Sequence, residues 1–576
     1  MSVKRVMGTE TEYAVSLAHA GTYDPVRLSF AVVAAAADPR TAHIRWDYQR
    51  EDPVNDARGG RLARSQARPD MLTDEPQRHI TNVVAPNGGR IYVDHAHPEY
   101  SAPETTDPFA AVRYDHAGDG LMLAAARKAS EQTGAAIALH RNNVDGKGAS
   151  WGTHENYMML RSVPFEQVAA LMTVHFVSRQ LYAGSGRVGL GERCETAGFQ
   201  LSQRADYLHT AIGLQTTFDR PIVNTRDEPH APGEYRRLHV IVGDANRMDT
   251  PQALKLGTTS MLLWMLENAQ SCGMDIAGLL DATRLADPVA AVHTVSHDLG
   301  LAAELPLEGG GTITAWQLQA RLLSAVYETG ARMYGTDSRG EPLWPDKPTV
   351  RIMAMWRQAM ADTAAVRHAD DDERLGMAAE ASRLEWLLKW QLLERLRRRL
   401  NCSWSDSRMA ALDLRWAALD PAVSPWEKLR ARTVCLDDDK QHSDGEQLSS
   451  NEQPSAAEQL QTAEIQPPND TRAWLRAWIV KRWPDQVVAV SWSRITVRDQ
   501  DSKTGLLSVD MSDPQRWTAA SCADALADDD VTQNDDAAQN GTVQNGTVQN
   551  GTVQSPKDAT QTAAAALKLI MNASAA

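Results

Sequence analysis

The chain of 576 residues has only five cysteines, Cys194, Cys272, Cys402, Cys435 and Cys522, scattered and without a CxxC pair. That excludes a disulfide framework and a cysteine-built zinc site, and it fits a reduced, cytoplasmic setting. No apolar run reaches the ~20 residues of a membrane span. The N-terminal MSVKRVMGTE has no apolar stretch of the signal-peptide kind. Positive charge is short as well. With 59 Lys and Arg against 74 Asp and Glu, the net charge is −15, a poor match for general nucleic-acid binding, which depends on neutralising phosphates. There is no GxxxxGK[ST], no GxGxxG opening a helix and no HExxH. A nucleotide bound by such a chain has to be held by metal and arginine on a sheet.

What is present is a long apolar-rich region. Hydrophobic residues make up 43% of the chain, and residues 1–400 read as one globular unit of mixed strands and helices, an α+β pattern. Residues 3–17 alternate like a strand. GRIYVDHA (89–96) alternates too and follows NVVA and the turn signal PNGG, so the two runs predict a hairpin. Helices are predicted over 118–134, 165–184, 251–268, 314–335 and 371–400, and strands over 137–145 and 236–248. The polar stretch 38–80 is too long for a tight connection and reads as a functional or mobile loop. A smaller C-terminal domain is expected over 401–522, with order resuming at 471–497 as a helix and a strand. It is interrupted at 436–470 by an insertion whose first part, 436–466, has eight acidic residues and one Lys, a signature of disorder. Residues 523–576 read as a low-complexity tail with three QNGTV repeats and a short helix at TAAAALKLIM.

The chemistry concentrates in VMGTETEYAV (6–15). Side chains at i and i+2 share a face of a strand, so Glu10 and Glu12 point together, with Thr11 opposite. Tyr92 and Asp94 pair in the same way in the second strand, and Glu99, Ser101 and Glu104 follow. Two like charges about 4 Å apart repel by roughly 4 kcal/mol at an effective dielectric near 20. Such a cluster therefore calls for a cation, and carboxylate oxygens suit Mg²⁺. The alternative is a pair of edge strands with solvated acids. GTHENY (152–157) adds His154, and YRRLHVIVGD adds His239 on the same face as Arg237. Arg90, Arg204 and Arg226 lie in strand-like or loop contexts. Arginines facing a carboxylate–metal cluster suit phosphate, although each alone also reads as an ordinary surface or ion-paired residue.

MGTETEY (7–13), RIYVDHAHPEYSAPE (90–104), GTHENY (152–157), NTRDEPHA (224–231) and RRLHVIVGDANRM (236–248), in that order, resemble the Pup deamidase/ligase (Dop/PafA) family. The resemblance spans roughly residues 1–435 and resumes at 471–500. It implies a glutamine-synthetase-like fold, a curved antiparallel sheet cradle packed with helices. GTETEY, VDHAHPEYSAPE and the 38–80 stretch with RWDY and DARG are similar to the deamidating and depupylating branch. The alternative is the ligase branch, which forms the Pup–lysine isopeptide with ATP hydrolysis. The resemblance further implies Asp94 as catalytic base or nucleophile, and Glu10, Tyr92, Glu99, His154 and His239 around Mg²⁺. It places Gly8, Thr9, Arg90, Ser101, Arg204, Arg226, Arg237 and Trp492 toward ATP, or ADP plus phosphate. The implied partners are Pup, an acidic and largely disordered protein, and pupylated proteins, with neither nucleic acid nor membrane, and a monomer is favoured. AVSPWEKLRARTVCLDDD (422–439) departs from the family pattern.

Overall fold

The computed structural model describes residues 2–18, 22–63, 65, 81–145, 148–189, 197–436, 455–526 and 562–573. Its centre is a six-stranded antiparallel sheet. The strands are β1 (Met7–Glu12), β2 (Asn82–Val84), β3 (Arg90–Asp94), β4 (His97–Ser101), β5 (Thr153–Leu160) and β6 (Tyr235–Val240), in spatial order β6-β5-β1-β4-β3-β2. The hairpin expected from NVVA-PNGG-RIYVD is β2–β3, with Asn82 opposite Tyr92.

Register decides what each face carries. Glu10 lies opposite His154 and Ser101, Glu12 opposite Glu99, Tyr92 opposite Glu99, and Asn156 opposite His239. One face is therefore polar across all six strands. The other face packs on two helices, α1 (Pro25–Ala36) and α2 (Pro108–Thr133), through Ile91, Tyr100, Val83 and Ala102. Helix α2 starts ten residues before the predicted 118, because Asp107 caps it with Pro108 in the first turn. It stops where predicted, at Gly134 in the left-handed region (φ 71°). Gly118 lets the helix touch the sheet: a Cβ there would sit 2.1 Å from the Tyr100 ring.

Behind α2 lies the larger core, organised around α3 (Asp249–Asn268), in which every residue from Thr250 to Leu266 is buried. Such a helix is surrounded by protein on all sides. Several sequence expectations change here. The 165–184 helix divides into Phe165–Ser178 and Gln180–Ala183, and the strand at 137–145 ends at His140. The 236–248 strand ends at Val240. The 371–400 helix is three pieces, Asp371–Gly376, Ala378–Ala381 and Glu385–Leu400. A helix at Lys347–His368, capped by Asp346 with Pro348 in its first turn, was not anticipated.

The C-terminal part holds helix α4 (Ala473–Arg482) and an antiparallel run of Val487–Val490, Arg494–Arg498 and Leu506–Asp510. Its fourth strand comes from the other end of the chain: Arg45–Trp46 pairs in parallel with Ala489–Val490. The described part of the 38–80 loop is thus built into a sheet, with a further small hairpin at Asn55–Asp56 and Gly60–Arg61. Two more helices stand in the insertion, where disorder was expected, and in the tail, where the short helix at TAAAALKLIM was expected but not its packing. Ala456–Ile465, opened by a Ser455/Glu458 capping box, buries Ala463 in the α1–α2 cluster. Ala563–Ala573 buries Ala563, Ala564, Leu567 and Ile570 against Val487, Ile495 and Val497. The expectations for 66–80, 437–454 and 527–561 fall outside the described residues.

Glu104, just beyond β4, clips α4 to the sheet. It accepts from Arg472 Nε at 2.7 Å and from Arg476 Nη2 at 2.5 Å. Burial pushes its carboxyl up, but the two guanidinium groups outweigh it and hold it near 2. The ordinary value is near 4.5. The clip therefore contributes fully above that value and is lost as pH falls toward 2, a contribution on the order of 3 kcal/mol. Acid titration followed by Trp478 and Trp492 fluorescence should show the C-terminal part loosening in this window, and Glu104→Gln should loosen it at neutral pH.

Candidate active site

The polar face gathers two triads of potential ligands. Glu10, His154 and His239 form one, and Glu12, Asp94 and Glu99 the other; within each triad the ligand atoms lie within 4.8 Å of one another. In the first, His154 Nδ1 stands 3.1 Å from Glu10 Oε2, and Asn156 Nδ2 donates to Glu10 Oε1 at 2.9 Å. Burial raises the Glu10 carboxyl, but the His154 hydrogen bond and the charges of His239, His154 and Arg237 hold it well below the usual range. Burial, reinforced by Arg237, keeps the His239 imidazole far below its ordinary value, hence neutral, with a lone pair to offer.

In the second triad it is Glu99 that lacks such compensation. Glu99 is buried, and its carboxyl is pushed well above the ordinary value by desolvation and by Asp94, Glu12 and Glu10. Three converging carboxylates, one of them forced toward its neutral form, are a donor set that a hard divalent cation would relieve. The residues present therefore fit Mg²⁺.

Asp94 closes β3 at the rim. It keeps 40% side-chain exposure and has His95 Nδ1 at 3.0 Å. Burial raises its carboxyl, but the His95 hydrogen bond and the charges of His95, His154 and His97 leave it below the ordinary value. It is ionised at neutral pH. His95 reaches it from a left-handed backbone position (φ 50°), a strained conformation for a non-glycine residue. His97 lies opposite Asp94, stacks on Trp151 at 4.8 Å and has Nδ1 3.3 Å from Glu12 Oε2.

The arginines gather at the other end. Arg226 and Arg237 share Glu228, with Arg237 Nη2 at 3.3 Å, and Arg237 is 3.8 Å from Glu10. Arg90 lies between the rings of Trp46 (4.2 Å) and Tyr92 (4.0 Å) and donates to Asn82 Oδ1 and to Tyr48 Oη at 2.9 Å. Trp492 meets Trp46 edge-on at 5.1 Å, which puts it beside Arg90. Ser101 Oγ lies 3.3 Å from Tyr92 Oη, on the same face.

The structure does not bring all the sequence candidates together. Gly8 lies on the polar face, but the Thr9 side chain is on the opposite one, donating to Asp115 on α2 at 2.8 Å. The parity of the strand requires this, since Thr9 is odd where Glu10 is even. Arg204 is 1% exposed and donates to the carbonyls of Trp151 and Ile241, tying strand ends together, while its Nε has no hydrogen-bond partner. Burial and nearby Arg220 bring it down to about 9. Glu12, read from the sequence as sharing the face of Glu10, joins the second triad. His97, Asn156, Glu228 and Glu51 belong to the site but were not among the predicted site residues. For Asn156 the signal was the i+2 spacing from His154; Glu51 carried none, because only the fold brings it to Arg90.

Comparison with known proteins identifies the family. The model of the family described as "Pup-ligase protein" matches residues 5–496. A depupylase of Acidothermus cellulolyticus is 39% identical over 91% of this chain and 96% of its own length. A Pup deamidase/depupylase of Mycobacterium tuberculosis is 40% identical over 86% and 91%. A Pup–protein ligase of Jonesia denitrificans is 31% identical over 87% and 94%. Among solved structures, the ligase PafA in complex with Pup superposes with a TM-score of 0.68 at 25% identity, covering 95% of this chain and 99% of that one. PafA with ADP gives 0.61 at 28% identity, covering 76% and 87%. The chain is a member of the Pup-ligase protein family.

Proposed function

We propose that this protein is a hydrolase of the Pup system, releasing the C-terminal side-chain amide of Pup or the isopeptide that joins Pup to a lysine. The observation that carries the reading is Asp94, an ionised and accessible carboxylate at the rim of two ligand triads, in a chain nearer in identity to depupylases than to the Pup–protein ligase compared with it.

Glu10, Tyr92, Glu99, His154 and His239 would hold Mg²⁺, with Glu12 beside them. The cation would supply positive charge to the oxygen on which negative charge builds up. Arg90, Arg226, Arg237 and Trp492 would hold a nucleotide, as a cofactor that orders the site. Asp94 then has two routes. As a base it takes a proton from water, the water oxygen bonds to the side-chain carbonyl carbon, the C–N bond breaks and the amine leaves carrying a proton. As a nucleophile its Oδ bonds to that carbon and expels the amine, and water then hydrolyses the anhydride. Cys272, Cys402 and Cys522, none of them in a disulfide, suit a reduced cytoplasm. Among the described residues no helix is long and apolar enough to cross a membrane.

The test is direct. A purified Pup–lysine conjugate with ATP and Mg²⁺ should yield free Pup and unmodified protein. Conjugate formation from glutamate-ended Pup, without cleavage, would assign the ligase reaction instead.

A further inference from the structure

Arg90, Arg226 and Arg237 are the cations available to phosphate, and three carboxylates of the chain already address them. Glu10 stands 3.8 Å from Arg237, and Glu228, 3% exposed, pairs with Arg226 and Arg237. The third is Glu51, from the segment that carries Trp46 into the C-terminal sheet. Its Oε1 accepts from Trp46 Nε1 at 2.8 Å and stands 3.9 Å from Arg90 Nη1, and its side chain is only 11% exposed. Its charge acts on all three arginines.

A contact at 3.9 Å to Arg90, without a hydrogen bond, marks a counter-ion rather than a locked pair. Arg90 spends its hydrogen bonds on Asn82 and Tyr48. The Trp46 indole, which also lies against Arg90, holds that same Oε1 in place. An incoming phosphate would meet a fixed negative charge inside the basic cradle, and like charges in a shielded site oppose each other strongly.

We propose that Glu51 is the resident counter-ion of this arginine cradle, and that it sets nucleotide affinity by competing with phosphate for Arg90, Arg226 and Arg237. The inference rests on the nucleotide reading above. It makes Glu51 an affinity-setting residue contributed by a segment far from the sheet in sequence. The isosteric Glu51→Gln keeps an oxygen for Trp46 Nε1 and removes only the charge.

The experiment is titration calorimetry of the full-length wild type and Glu51→Gln with ADP and with adenosine, in Mg²⁺. The variant should bind ADP roughly tenfold more tightly, with adenosine unchanged. A gain in affinity is a result that damage to the fold does not produce. Equal or weaker ADP binding by the variant, or an equal gain for adenosine, would overturn the role of Glu51 while leaving the nucleotide reading intact. Failure of the wild type to bind ADP would overturn both.

Discussion

Asp94→Asn should lower the rate of Pup–conjugate cleavage by about a thousandfold or more, the scale on which a lone base or nucleophile acts, while the protein folds and binds nucleotide as before. The structure separates these outcomes. Asp94 is at the rim, 40% exposed, and an asparagine oxygen can still face His95 Nδ1, now 3.0 Å from the carboxylate. The triad of Glu10, His154 and His239 and the arginines Arg226 and Arg237 lie on other strands and loops, and Arg90 stands at the opposite end of β3 from Asp94, so all keep their partners. Cleavage rate, ADP affinity and melting temperature, measured on one preparation, check the prediction. Normal cleavage by the variant would remove Asp94 from the chemistry, and a large loss of melting temperature would recast it as structural. Hydroxylamine added during turnover of the wild type distinguishes the two routes: a hydroxamate on Asp94 marks an anhydride, and rapid turnover without one marks a base.

Much of this site could be read before any fold was known, and the reason is strand parity. Glu10 with Glu12, Tyr92 with Asp94, and Arg237 with His239 are each two residues apart, so local geometry alone puts each pair on one face. The same rule, applied strictly, places Thr9 on the other face, where it meets Asp115. What parity cannot supply is which strands lie side by side. Glu99 is remote from Glu12 in sequence, and only the β1–β4 register makes them opposite. Glu51 and Trp46 were hidden for a stronger reason. They lie in a polar stretch whose composition resembles a loop, and their order comes from pairing with Val487–Val490, over 400 residues away. At the other end the helix at TAAAALKLIM was legible, but its docking was not. Ala563–Ala573 follows a polar repeat, yet it presents Leu567 and Ile570 at helical spacing to a waiting apolar surface. Local propensity is a weak prior when a distant surface provides the burial.

Asp115→Ala should cost about 3–5 kcal/mol of folding stability, the toll of stranding a buried charge, which is the largest destabilisation expected from any single change near the sheet. Asp115 is fully buried on α2. Its Oδ1 accepts from Thr9 at 2.8 Å and Thr11 at 3.1 Å, and its Oδ2 from Arg141 and Gln252. Arg141 is equally buried and would keep only Asp119 as an acidic partner, at 2.9 Å. Removing the carboxylate also leaves two threonine hydroxyls on β1 without their acceptor. Because Thr9 and Thr11 alternate with Glu10 and Glu12 along one strand, the network behind the sheet fixes the strand that presents the acids in front. Activity should therefore fall with stability even in the fraction that stays folded. Urea denaturation of Asp115→Ala, Arg141→Met and the double variant supplies the check. The double variant should lose clearly less than the sum of the singles, since it no longer buries an unpaired charge. Simple additivity would mean that the two side chains act independently, and that β1 is held by backbone pairing alone.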